Sequence, residues 1–90
     1  MRPAIGRTVH YALTRDDVDL IKRRRDTHPD RAVGNPVTEG DTYPAVIVRV
    51  WDDNSVNLRV WLDGTDDLWA PSRHHGTTDE PGTWAWPARV

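Results

Sequence analysis

The clearest hydrophobic pattern in the chain is a pair of alternating runs. In AVIVRVW, Val46, Val48 and Val50 fall on one side and Ile47, Arg49 and Trp51 on the other. In SVNLRVWL, Val56, Leu58, Val60 and Leu62 fall on one side and Asn57, Arg59 and Trp61 on the other. Successive strand side chains point to opposite faces, so this alternation predicts two half-buried strands. Asp52-Asp53-Asn54 separates them, and residues 44–62 read as a hairpin. A three-residue loop keeps both apolar faces together and opposes Val50 to Val56, with Asn54 in the left-handed position. That register sets Arg49 beside Asn57 and Ile47 beside Arg59. A slip of two residues would oppose Arg49 to Arg59, two like charges.

Weaker patterns flank the hairpin. TVHYAL alternates and predicts a strand over 8–13. The following TRDDVDLIKRRRD predicts a helix over 15–26. Thr14 is a good N-cap, with Asp17 three residues on as an acidic relative of the capping box, and Leu13 and Val18 stand at the hydrophobic-staple positions. Aspartates fall early and Lys22 to Arg25 late, which complements the helix dipole. The apolar stripe is narrow, Val18 and Ile21 with Leu20 off to the side, so the helix covers one edge of a core. Residues 27–42 hold prolines and glycines and read as a loop, long for so small a domain. Leu68-Trp69-Ala70 is a short strand, residues 72–82 a polar loop, and residues 83–86 a last strand carrying Trp84 and Trp86 on one face.

Composition turns these elements into a fold class. Ninety residues make one small domain with a thin core. There are five tryptophans and no phenylalanine, so indoles must supply much of the large apolar area. The expectation is an α+β, mainly β domain: a small SH3-like, partly open barrel of about five strands with one helix near the N-terminus. The closing Trp pair then plugs the end of the barrel. A sheet edge left bare, together with more tryptophan than the core can hide, points to a homo-oligomer.

Charge and residue type narrow the chemistry. A net charge of −2 argues against a general binder of duplex nucleic acid. No apolar run approaches the roughly 20 residues of a membrane span and MRPAIGR carries no signal-peptide core, so the expectation is a cytoplasmic protein without a membrane partner. The chain has no cysteine, hence no disulfide and no thiolate. His10, His28, His74 and His75 lack metal-ligand spacing, and no Walker, dinucleotide or nucleophile-elbow motif is present. The acidic turn residues, such as Asp52, Asp53, Asp63, Asp66 and Asp67, suit local backbone bonding better than paired-carboxylate catalysis. No enzyme, cofactor or metal is expected. KRRRD at 22–26 reads as a helix C-terminus rather than a phosphate patch.

Several stretches carry a resemblance. TVHYAL, GNPVTEGDTYPAVIVRVW, SVNLRVWLDGTDDLWAPS and EPGTWAWP resemble a group of short proteins encoded by bacteriophages and prophages, many of them in phages of actinobacteria. The likeness covers about two-thirds of the chain, and the Pro-Gly-Thr-Trp-x-Trp-Pro close is its most specific part. The middle position of that motif is often His in the group and is Ala85 here, so no function attaches to it. The resemblance implies a phage or prophage origin and a small accessory role in the infected host's cytoplasm. It implies no chemistry.

The leading functional expectation is therefore a binding protein. By analogy with other small phage proteins, it would sequester a small anionic ligand, such as a nucleotide-type immune signal. The residues that suit phosphate binding and base stacking are Arg49, Asn57, Arg59, Trp61, Trp69, Ser72, Arg73, Trp84 and Trp86. The other class is a virion structural or adaptor protein that works through protein–protein contacts.

Overall fold

The computed structural model describes residues 1–77 and 80–88. Five strands and one helix follow in the order β1 (Thr8–Ala12), α1 (Arg15–Thr27), β2 (Thr42–Val50), β3 (Ser55–Trp61), β4 (Asp67–His75) and β5 (Thr83–Ala85). They form a closed barrel, β1-β2-β3-β4-β5, with β5 returning to β1. The mainly β domain with a single helix agrees with the small SH3-like barrel expected, but closed rather than partly open. Each strand has a neighbour on both sides, so the bare edge invoked for oligomerisation does not exist among the described residues.

The closure depends on the shortest strand. β5 pairs antiparallel with β1, placing Trp84 beside Tyr11, and parallel with β4, placing Thr83 beside His74 and Trp84 beside His75. Trp84 is fully buried in the core with Tyr11, Leu13, Ile47, Leu58 and Leu68. Trp86 packs partly buried against that cluster, its ring edge-on to Trp84 at 5.4 Å. The plug expected of the two indoles is present, with Trp84 as its inner part.

The helix behaves as its sequence dictates. Thr14 accepts from the Asp17 amide while Asp17 accepts from the Thr14 amide, a complete capping box. Val18 and Ile21 are buried and join the core cluster, whereas Leu20 is exposed. Arg24 and Arg25 are not a phosphate patch. Arg25 holds Asp66 with two hydrogen bonds of 3.0 Å each, and Arg24 reaches the Asp67 carbonyl. The stretch between α1 and β2 is pinned: Ala32 and Val37 are buried, and Gly34 bridges Gly64. A Cβ on Gly34 would lie 2.5 Å from the Asp63 carbonyl oxygen, so this approach of two backbones requires glycine.

Two β-bulges interrupt the sheet, and the first changes the faces predicted for the first hairpin strand. Val50 opposes Val56 and Arg49 opposes Asn57, as expected, but Ile47 then opposes Leu58 and Val46 opposes Arg59. Val48 is the extra residue. A bulge inverts which side chains face inward. Ala45 and Ile47 are therefore fully buried, while Val48 is exposed and Val46 half-buried. The pairing of Ile47 with Arg59 and the placing of Val46 and Val48 in the core are corrected accordingly. The turn also differs. Asn54 is not left-handed; Asp52 instead accepts from the amides of Asn54 and Ser55 at 2.8 and 2.7 Å. Those bonds hold the Asp52 carboxyl below its ordinary range, the Asn54 amide contributing most.

The second bulge lies between β3 and β4, where Val56 opposes Arg73 but Leu58 opposes Ala70. β4 is far longer than the 68–70 predicted: residues 72–75, read as polar loop, continue the strand. Thr78 and Asp79 of that predicted loop lie outside the described residues. Alternation cannot reveal a strand whose pattern is broken by an inserted residue.

Candidate functional site

The nine residues singled out in the sequence divide into four groups. Trp84 and Trp86 belong to the core and its lid. Arg73 is structural. Its guanidinium lies over the Tyr11 ring at 5.6 Å and pairs with Asp17 at 3.5 Å, and Asp17 also accepts the Tyr11 phenol at 2.5 Å. Burial first, and then the hydrogen bond to Asp17, push the Tyr11 hydroxyl well above its ordinary pKa. Arg73 thus neutralises a buried carboxylate inside the barrel wall.

A third group gathers at the hairpin end, on the second bulge. Asn57 lies on the face opposite Val56 and Leu58, as expected, but is buried there rather than exposed. Its Oδ1 accepts from Trp51 Nε1 at 2.8 Å and from the Ser72 amide at 2.7 Å. Ser72 has φ 55, the left-handed region, the one described non-glycine residue that does. Such a conformation costs a residue other than glycine about 1–2 kcal/mol. The Asn57 carbonyl holds the bulge in this geometry. Among the described residues the Asn57 Nδ2 protons have no protein acceptor. Arg49 stands opposite Asn57 on β2, and its guanidinium lies 4.1 Å from the centre of the Trp51 ring. Among the described residues no carboxylate pairs with it.

The spatial order is then Arg49 on β2, Asn57 on β3 and Ser72 on β4, with Trp51 against Arg49. Every strong hydrogen-bonding group this row leaves free is able to donate: the guanidinium, the amide Nδ2 and the Ser72 hydroxyl. Trp51 was not among the residues picked from the sequence. Its signal was available, because Arg49 and Trp51 are two apart and strand residues two apart share a face.

The fourth group, Arg59, Trp61 and Trp69, lies on the outer sheet face. Trp61 is 52% and Trp69 56% exposed. Arg59 Nη1 lies 3.6 Å from Asp67 Oδ1. Of the four residues Ile47, Arg49, Asn57 and Arg59 expected on one outer face, Arg49 does oppose Asn57, but the Val48 bulge turns Ile47 into the core and sets Val46 opposite Arg59 instead.

Three surface clefts lie away from these residues, one of about 380 Å³ against Leu20, Arg23 and Thr27. A second of about 320 Å³ runs between α1 and residues 37–39, and a third of about 270 Å³ is lined by Arg24, His28, Arg31 and Asp66 among others. Among the described residues no three His, Asp or Glu side chains group as metal ligands, and no helix is long and apolar enough to cross a membrane. The described residues form a small closed barrel whose wall carries this row of donors and a patch with Trp61 and Trp69 exposed. No family model matches it, and comparison with curated proteins and with solved structures gives no match.

Proposed function

We propose that this is a phage-type accessory protein of the host cytoplasm that acts by binding rather than by catalysis, and that its ligand is a small anion of the nucleotide type. The observation that supports this reading is the state of Arg49: a cation held over the Trp51 ring, 4.1 Å from its centre, without a carboxylate partner among the described residues. Arg73 is paired with Asp17, and Arg59 with Asp67. A guanidinium ordered in advance by an aromatic ring loses less freedom when it takes an anion. One cation with neutral donors beside it suits a singly charged group, a phosphodiester or a carboxylate, better than a dianionic phosphate. The outward side of the Trp51–Arg49 stack offers a planar surface to a base.

The test is a melting-temperature and calorimetric screen of linear and cyclic nucleotides. It is paired with mass spectrometry of small molecules released by heat from protein purified out of phage-challenged cells. A ligand of this class raises the melting point of the wild-type protein and not of Arg49→Ala. If no nucleotide shifts the melting point and heat releases nothing, the reading fails. An assembly or adaptor role is the second reading, and the two exposed indoles Trp61 and Trp69 favour it. In that case a protein partner raises stability and no nucleotide does.

A further inference from the structure

The outer face of β3 and β4 carries a four-residue checkerboard. Arg59 opposes Trp69, and Trp61 opposes Asp67. Arg59 and Trp61 are two apart on β3, and Asp67 and Trp69 two apart on β4, so all four side chains share one face. The indoles occupy one diagonal of the square. The charges occupy the other, at 3.6 Å from Arg59 Nη1 to Asp67 Oδ1. Both charged side chains stay well exposed, 45% and 37%. Val46, opposite Arg59 on β2, and the bulged Val48 extend the apolar border.

This arrangement is self-complementary under one particular symmetry operation. A second copy turned face to face by a two-fold axis along the Trp61–Trp69 diagonal sets Trp61 on Trp61 and Trp69 on Trp69. The same operation sets each Arg59 opposite the other copy's Asp67. An axis along the charged diagonal would set Arg59 on Arg59, which is repulsive. We propose that this square is a self-recognition surface and that its occupant is a second copy of this chain, docked isologously about the indole diagonal. Tryptophan and arginine are the residues that most often carry binding energy at interface centres. Balanced charge on the patch disfavours a strongly acidic or basic partner and suits a copy of itself.

The size of the patch sets the strength. A standard interface takes about 800 Å² from each partner, roughly one-seventh of this molecule's 5741 Å² surface. A whole indole buries on the order of 150–250 Å², and Trp61 and Trp69 are only 52% and 56% exposed, so each adds about half of that and with their neighbours they fall short of the standard. The dimer is accordingly weak, with a dissociation constant in the micromolar range or above.

Sedimentation velocity from micromolar to near-millimolar protein tests this. The wild-type chain should move from 10.3 kDa toward twice that mass. Trp69→Ala should raise the dissociation constant at least tenfold. The decisive variants are Arg59→Asp and Asp67→Arg. Each alone sets like charges opposite each other at both ends of the charged diagonal and should stay monomeric. Mixed in equal amounts, they set opposite charges at both ends and should form a heterodimer at least as tight as the wild-type pair. Neither substitution touches the core, Arg49 or Asn57, so circular dichroism and nucleotide binding report separately on fold and on the donor row. A wild-type chain monomeric throughout, or single variants that neither lose self-association nor recover it on mixing, would overturn the proposal.

Discussion

Trp84 donates its indole N–H to the carbonyl oxygen of Asn54 at 3.2 Å, so the last strand is fastened to the turn between β2 and β3. The same oxygen accepts the His75 amide at 2.9 Å, and the His75 ring stacks on Trp84 at 4.5 Å. This explains why a small chain places two tryptophans near its end. β5 contributes only three residues, and a three-residue strand cannot close a barrel on backbone hydrogen bonds alone. The buried indole anchors it. Trp84→Ala should therefore cost about 3–5 kcal/mol, the usual range for a large buried aromatic. Trp86→Ala, at a half-buried position, should cost clearly less. Removing the chain from Thr83 onward should leave little folded protein, since small domains have only about 5–15 kcal/mol to lose. Urea denaturation of the three variants measures each value. Equal costs for Trp84→Ala and Trp86→Ala would contradict the anchoring role.

Asp17 is the meeting point of the helix cap and the barrel wall. It accepts the Tyr11 phenol, accepts the Thr14 amide and pairs with Arg73. Tyr11→Phe removes one donor from a buried carboxylate and should lower stability by about 1.5–3 kcal/mol, the range for a hydrogen bond to a charged group. Arg73→Gln keeps the stem against the Tyr11 ring but removes the cation, and should also destabilise. Both changes act on one carboxylate, so the double variant should depart from additivity in a double-mutant cycle. Additive effects would mean that the three groups are not one network.

The pH dependence of stability is expected to run through Asp66. Its side chain is 5% exposed. Burial pushes its pKa up, but the hydrogen bonds and charges of Arg25 and Arg24 outweigh burial and hold it below the ordinary 3.8. A folded-state pKa below the unfolded one means stability that is present above the unfolded value and lost as pH falls through the folded one. Asp66→Asn should be less stable than wild type at neutral pH. The gap should close on acidification below about pH 4, the ordinary aspartate range. Chemical denaturation across the acid range gives the comparison, and a gap that stays constant with pH would remove Asp66 from the acid response.

The elements whose pattern is locally complete were legible before the structure. Thr14, Asp17 and the Val18–Ile21 stripe define α1 through short-range chemistry, and α1 ends within one residue of the expected position. Val56, Leu58 and Val60 alternate without interruption, and all are buried. The errors in strand facing and strand length have one physical cause. A single inserted residue reverses the facing of every residue beyond it, so Val48 hid Ile47 from the predicted core. The bulge before Ser72 hid half of β4 in the same way. The donor row depends on that second bulge, because it brings the Ser72 amide to Asn57. The hairpin register thus brought Arg49 to Asn57 in advance, but the arrival of Ser72 at Asn57 could not be read from the sequence. Arg73 and Arg49 look alike in the sequence, and only the fold gives one a carboxylate partner.

The donor row carries the last prediction. Arg49 is exposed and stacks on Trp51, outside the valine–leucine core. Arg49→Ala should lower ligand affinity by about 1.5–3 kcal/mol, roughly ten- to a hundredfold. Its effect on unfolding should remain near the half kcal/mol of ordinary surface changes. Arg49→Lys keeps the charge but loses the planar fork and the stacking surface, so it should recover only a small part of the affinity. Ser72→Gly separates the hydroxyl from the backbone geometry. Glycine adopts φ 55 without penalty, so the variant should be at least as stable as wild type while binding more weakly. Asn57→Ala is the less informative change, because it also releases Trp51 and the Ser72 amide and should destabilise the fold. Calorimetric titration beside thermal melting separates the two effects for each variant. The row binds the ligand if Arg49→Ala and Ser72→Gly lose affinity with stability intact. Undiminished affinity in the Arg49→Ala, Ser72→Gly double variant would place the ligand elsewhere on the barrel.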